Sequence, residues 1–314
     1  MTDILPLPFY SYDQKNIYYL EQYPCFDLAG LDMGSPGSER FLLAEGIQVA
    51  RPDFQTGTNV GDQVMVLEPH PDDFALSSSG YVMSRLDAGD SCLVQNLFSR
   101  TAIERFPWHD KVDLTEEQLE NLRLLESRVA VEEYLGQAFH SLRLPLASKR
   151  GYTEIFGNTH RDQALVERIG EKLVHKIIEL EVETVLSPLA VQGHIDHLVT
   201  FDVGMHIKKA LGDQIELLVY EDYPYSRNKS AYNSRIQATQ KQYSMEAEYT
   251  GVDDYLGYMA SMAIIYRSQF DDINRDQMYA VMREDLRATA LEARAAGIIL
   301  ADECAQRYWR IDET

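Results

Sequence analysis

From Gln63 onward, apolar runs of strand length alternate with segments of helical period, and this alternation limits the possible folds more than any other feature of the chain. "QVMVLE" leads to "FALSSSGYVMSRLDAG", then to "CLVQNLF", then to a longer helical stretch. A strand that runs parallel to its neighbour needs a crossover of a dozen or more residues, usually a helix, so this order reads as consecutive βαβ units. The stretch from Thr115 to Leu135 opens with Thr115 and Gln118 at capping-box spacing and closes at Gly136, a residue suited to ending a helix. "AFHSLRL", "ETVLSPL" and "IELLVYED" supply further strands, and Leu165, Ile169, Leu173 and Ile177 recur at the helical period between the first two. The expected fold class is α/β, a Rossmann-like, mostly parallel sheet flanked by helices. After residue 250 the chain reads as helical, with an amphipathic segment over 273–298. Residues 1–60, aromatic and then rich in Gly, Ser and Pro, read as an N-terminal extension packed on a core over 61–314.

The charge narrows the function classes. With a formal net charge of −21 and no cluster of Lys and Arg, the chain lacks the basic surface that nucleic acid or an anionic membrane requires. No apolar run is long enough to span a bilayer, and the N-terminus has no basic region followed by an apolar segment, so a cytoplasmic protein is expected. Cys25, Cys92 and Cys304 are widely spaced and odd in number, which fits neither a disulfide framework nor a CxxC metal site.

Two polar clusters interrupt this pattern. "PHPDD" places His70, Asp72 and Asp73 just after the first clear strand, and "GHIDH" places His194, Asp196 and His197 just after "ETVLSPL". In an open α/β sheet, functional groups gather outside the carboxyl ends of the strands, so the clusters are positioned to meet. Taken singly, Asp72 or Asp73 reads equally well as a helix cap, and the histidines as loop residues. Together, His70, Asp73 and His197 offer two imidazoles and a carboxylate, a ligand set of catalytic zinc sites that keep one position open. Zinc is the preferred ion, although another divalent ion suits the same ligands. Asp72 is then the expected base, and His194 the expected protonated donor.

"PHPDD" after an apolar strand, with a downstream HxxH, resembles the PIG-L or LmbE-like family of zinc-dependent de-N-acetylases. "SSSG", "EEYLG" and "YRSQF" at 266–270 extend the resemblance over roughly residues 60–270. It implies a Rossmann-like sandwich, a zinc cofactor, and removal of an acetyl group from an amino sugar or related amide. By position it makes His70, Asp73 and His197 metal ligands and Asp72 the general base, with His194 the electrostatic or acid group and Asp196 orienting it. Three departures stand out. Ile195 replaces the proline of the HPDH segment; Ser99, Arg100 and Thr101 stand where small residues and an acid are usual; and the distance from Arg123 and Glu126 to Gly136 is one residue longer. Arg100 and Arg123 are therefore candidates for substrate contact.

"YEDYPYSRN" follows a strand and brings Tyr220, Glu221, Asp222, Tyr223 and Tyr225 toward the same rim. Aromatic faces and acids suit a small N-acetylated amino sugar, including polyamino glycosides such as antibiotic intermediates. The rivals are an amidase acting on another small conjugate, a non-haem iron oxygenase with a two-histidine, one-carboxylate site, and a catalytically silent sugar-binding protein. The α/β alternation and the spare Asp72 favour hydrolysis.

Overall fold

The structure is a computed structural model that describes residues 4–6, 48–50, 52, 62–101, 115–157, 162–266, 268–270 and 273–312. The expected N-terminal extension thus lies almost wholly outside the described residues, as do Cys25, His109 and His160.

Seven strands form the main sheet: β1 (Gln63–Glu68), β2 (Ser91–Arg100), β3 (Ala138–Pro145), β4 (Val182–Pro188), β5 (Glu216–Tyr220), β6 (Ser244–Gly251) and β7 (Ala305–Asp312). Their spatial order is β3-β2-β1-β4-β5-β7-β6. The first five are parallel, and β7 runs antiparallel to both β5 and β6. The described helices are α1 (Asp73–Ser77), α2 (Ser79–Asp87), α3 (Glu116–Arg128), α4 (Gln163–Glu179), α5 (Ile195–Leu211), α6 (Lys229–Gln240), α7 (Leu256–Ala263) and α8 (Arg275–Ala295).

Side chains leave a strand on alternate faces, so β1 feeds two separate layers. Val64 and Val66 pack with Tyr81, Leu124 and Met259 on one face, while Met65 and Leu67 pack with Ile169, Leu173 and Phe201 on the other. Each such burial contributes about 1.5–3 kcal/mol, which explains why parallel strands covered on both faces read as continuous apolar runs. Helix α5 lies so close to β4 that a Cβ on Gly204 would come 2.7 Å from Ser187 Oγ.

Helix α3 begins with the expected capping box: Gln118 N–H donates to Thr115 Oγ1 at 3.2 Å, and Thr115 N–H to Gln118 Oε1 at 2.8 Å. The α-helix ends at Arg128, short of the expected Leu135, and passes into a π-helical turn over Val129–Tyr134 before Gly136 at φ 68. The wider turn falls in the interval that is one residue longer than the resembled pattern.

The helical reading of the C-terminal part needs correction. α8 coincides closely with the expected amphipathic segment, but β7 completes the sheet by inserting between β5 and β6. Tyr308 enters one core layer and Trp309 and Ile311 the other, a period-two division that only a strand satisfies. No described helix is long and apolar enough to cross a membrane.

Crossovers from β1 lead through β2 to β3 on one side, while β4 leads to β5 on the other. The order therefore reverses between β1 and β4, and the crevice this opens at their carboxyl ends is where an α/β sheet binds ligands.

Candidate active site and metal centre

Both polar clusters flank that crevice. In the turn after β1, His70 N–H donates to Asp73 Oδ2 at 2.8 Å, and Asp72 adopts φ 113 just before α1. A left-handed conformation at a non-glycine residue costs about 1–3 kcal/mol. It gives the adjacent acids different surroundings: Asp73 faces His70 and His197, whereas Asp72 Oδ1 lies 3.9 Å from Arg123. Between β4 and α5, Ala190 and Gln192 are also left-handed, and His194 caps the helix by accepting the Asp196 N–H on Nδ1 at 3.2 Å.

Three atoms converge across the crevice. Asp73 Oδ2 lies 3.5 Å from His70 Nδ1 and 3.3 Å from His197 Nε2. Ligand bonds of about 2.0–2.1 Å in tetrahedral geometry separate ligand atoms by about 3.3 Å, so these spacings suit one shared ion. His197 Nε2 is buried and has no hydrogen-bond partner among the described residues, as a nitrogen reserved for a metal would be. His194 is close by; it, His70 and His197 each offer a nitrogen within 4.8 Å of the others. This donor set fits a divalent ion such as zinc or iron.

Carboxylates behind the imidazoles fix their tautomers. His70 Nε2–H donates to Asp196 Oδ2 at 2.9 Å, leaving Nδ1 as the lone-pair nitrogen. Asp196 in turn accepts the Ala147 N–H at 3.1 Å and Arg150 Nη1 at 2.7 Å. His197 Nδ1–H donates to Asp222 Oδ1 at 2.5 Å, and Asp222 Oδ2 accepts the Val191 N–H at 3.1 Å. Such partners orient a metal-binding histidine and raise its basicity. Asp196, expected to orient His194, touches it only through its backbone amide; its carboxylate serves His70.

The electrostatics follow from burial and neighbours. Burial, then His70 and His197, hold His194 down to about 2, and a cation beside it would act in the same direction. The protonated donor expected of His194 is therefore a neutral imidazole, its proton on Nε2 because Nδ1 accepts. Burial would lower His197, but Asp73 and Asp222 outweigh it and push the imidazole up to about 9 in the absence of an ion. Burial and the adjacent Asp73 push Asp72 well above the usual carboxylate range, against the pull of Arg123. Burial opposes ionisation of Asp196, yet the hydrogen bond from His70 and the charge of Arg150 hold it below that range.

The cleft over these groups measures about 340 Å³, and Leu76, Leu146, Ile155, Phe156, Tyr223 and Tyr225 supply its apolar wall. Phe156 stands 5.0 Å from the His194 ring and 5.7 Å from that of Tyr225. Arg123 reaches the cleft and donates to Pro71 O at 2.9 Å. The other expected substrate contacts fall elsewhere. Tyr220 is fully buried, its hydroxyl donating to Leu67 O at 2.9 Å. Glu221 accepts the Tyr232 hydroxyl and pairs with Arg307, and Asp222 is committed to His197. The reason is strand parity: Tyr220 ends β5 inside the core, and the chain reaches the rim only at Tyr223. Arg100 is exposed beside Glu120 and does not line the cleft. Glu68 and Arg150 were not anticipated. Glu68 alone carried a signal, an acid closing an otherwise apolar strand.

Fold and site agree with the resemblance to the PIG-L/LmbE-like proteins read from the sequence, and the chain is similar to known deacetylases. No family model matches it. The 2′-N-acetylparomamine deacetylase of Streptomyces fradiae is 26% identical over 220 residues, covering 67% of this chain and 74% of the relative. Teicoplanin deacetylase, solved in a zinc-inhibited form, shares the fold at a TM-score of 0.61 with 18% identity, over 80% of this chain and 98% of that one. The 4-carboxy-2-hydroxymuconate hydratase of Pseudomonas putida also shares it, at a TM-score of 0.54 with 16% identity, over 80% of this chain and 95% of that one. One fold thus hosts different reactions, and the reaction must be argued from the site.

Proposed function

We propose that the chain is a zinc-dependent N-deacetylase that hydrolyses the acetamide of an amino sugar or aminoglycoside, releasing acetate and a free amine. The observation that carries this reading is the convergence of His70 Nδ1, Asp73 Oδ2 and His197 Nε2, with a further acid, Asp72, beside them and outside the trio. The name of the Streptomyces fradiae relative supports the substrate class. His70, Asp73 and His197 would hold the ion, which when bound lowers the pKa of water toward neutrality and polarises a carbonyl.

The remaining steps belong to the chain's own side chains. Asp72, at the cleft beside the trio, accepts the proton of the attacking water. His194 offers its Nε2–H to the oxyanion that develops on the acetyl oxygen. Asp72 returns its proton to the departing nitrogen, and the C–N bond breaks to give acetate and the amine. Phe156 and Tyr225 present aromatic faces on which a sugar ring can stack.

The test is incubation with N-acetylated amino sugars and aminoglycoside precursors, with acetate and primary amine measured together. Equal release, abolished by a chelator and restored by zinc, is expected. Failure to release acetate from any of them after zinc reconstitution refutes the reading, and a requirement for oxygen favours the iron oxygenase instead.

A further inference from the structure

Glu68 ends β1 directly beneath the His70–Asp73 turn and is fully buried. An acid in such a place is unfavourable unless hydrogen bonds hold it. Its Oε1 accepts the N–H of Asp72 and the N–H of Phe74, each at 3.3 Å, while Oε2 has no hydrogen-bond partner among the described residues. The first amides of a helix find no acceptor within the helix itself. In α1 the residue at the cap position, Asp72, makes no side-chain cap bond, so the strand beneath supplies the acceptor. One of the two amides it accepts belongs to the residue with φ 113.

The same turn is held from another side. Arg123 donates to Pro71 O at 2.9 Å, one residue earlier. The imidazole ligands, by contrast, rest on Asp196 and Asp222, neither of which touches Glu68. Support for the proton acceptor and support for the imidazoles are thus separate sets of bonds.

We propose that Glu68 is a positioning residue for Asp72. By accepting the Asp72 and Phe74 amides, it keeps the turn left-handed and holds the Asp72 carboxyl on the cleft, apart from the carboxyl of Asp73. The proposal rests on Asp72 being the proton acceptor. It also explains why an acid ends a strand whose other residues are nearly all apolar.

The test compares Glu68→Ala with Glu68→Gln, because glutamine retains Oε1 as an acceptor and alanine removes it. Crystal structures of the two variants give a reading that needs no substrate: Asp72 leaves the left-handed region in E68A and stays there in E68Q. On a substrate that the parent hydrolyses, E68A loses about a hundredfold in kcat, the scale of a misplaced reacting group, with KM and zinc content unchanged. E68Q recovers most of that kcat. An unmoved Asp72 in E68A, an unchanged kcat, a loss of zinc, or an E68Q as impaired as E68A each overturns the proposal. Should E68A fail to fold, E68Q decides alone: a displaced Asp72 overturns the proposal, and a retained turn with near-parental kcat supports it. A parent that releases no acetate refutes the deacetylase reading instead, and the position of Asp72 in the two crystals still tests the hold of Glu68.

Discussion

Replacing Asp222 by asparagine separates two roles open to an acid after β5. Asp222 Oδ1 accepts from His197 Nδ1 at 2.5 Å, and Oδ2 accepts the Val191 N–H at 3.1 Å, so both oxygens are engaged by donors. An asparagine has one acceptor oxygen, and whichever way its amide faces, one of those donors meets an NH2 group. A buried donor left in that state costs about 1–3 kcal/mol. When the donor is His197, the ring no longer has a reason to keep its proton on Nδ1, and a proton on Nε2 removes a ligand. Loss of such a supporting carboxylate weakens metal binding about ten- to hundredfold, which is about 1.4–2.7 kcal/mol. Zinc affinity is measured by competition with a chelator of known affinity, and KM on the same preparation at saturating zinc. D222N should lose affinity by that factor with little change in KM, and D222A, which lacks both acceptors, should lose more. A raised KM with unaltered zinc affinity refutes the reasoning and returns Asp222 to the substrate rim.

Four further outcomes are expected. D72N keeps its zinc and loses about 10²–10⁴-fold in kcat, the usual share of a general base; undiminished turnover excludes Asp72 from proton transfer. The raised His197 pKa stabilises the metal-free protein fully below the ordinary value of 6.5, and this contribution is lost as pH rises through about 9. Over that window the Tm of the metal-free protein should fall while zinc affinity, which requires loss of the proton, climbs; an affinity independent of pH contradicts the assignment. Ile195 N–H donates to Ile155 O at 3.0 Å, so I195P, at a helix position that accepts proline, should free the connection bearing Phe156 and raise KM without loss of zinc. I195A, which keeps the amide, controls for the lost side chain, and equal KM values in the two variants contradict the anchoring role. G204A brings a methyl group within 2.8 Å of Ser187 Cβ and should destabilise the fold by about 1–3 kcal/mol, less in an S187G background. Equal losses of Tm in the two backgrounds show that the strain lies elsewhere.

The sequence displays those parts of the site that are contiguous. His70 with Asp73, and His194 with His197, each lie three residues apart where a loop enters a helix, and each loop follows an apolar strand, so β-sheet topology alone brings them to one crevice. Partnerships between distant loops have no such signature. Asp222 and His197 are 25 residues apart and Arg150 and Asp196 are 46 apart, and nothing local to either residue marks the pairing. Asp222 carried an ambiguous cue, since an acid after a strand suits the rim as well as the layer behind a ligand, and only the depth of Tyr220 decides between them. β7 escaped detection because it follows the long helix α8 and its polar Gln306, Arg307 and Arg310 dilute the alternation of Tyr308, Trp309 and Ile311. The π-helical turn is invisible to helical periodicity, because it alters the backbone bonding while the residues on either side remain good helix formers.

The arrangement of the cleft bears on how its selectivity could be re-engineered. The groups proposed to hold the ion lie just beyond the ends of β1 and β4, whereas Ile155, Phe156, Tyr223 and Tyr225 lie in connections that leave those strands intact. Exchanging the 146–157 connection for one of another shape would redesign the wall, but the segment also carries the Ala147 amide and Arg150, both of which donate to Asp196. Arg150 neutralises Asp196, which steadies His70, so a transplanted segment without a cation at that place would strand a carboxylate in the interior and unsettle a ligand it never contacts.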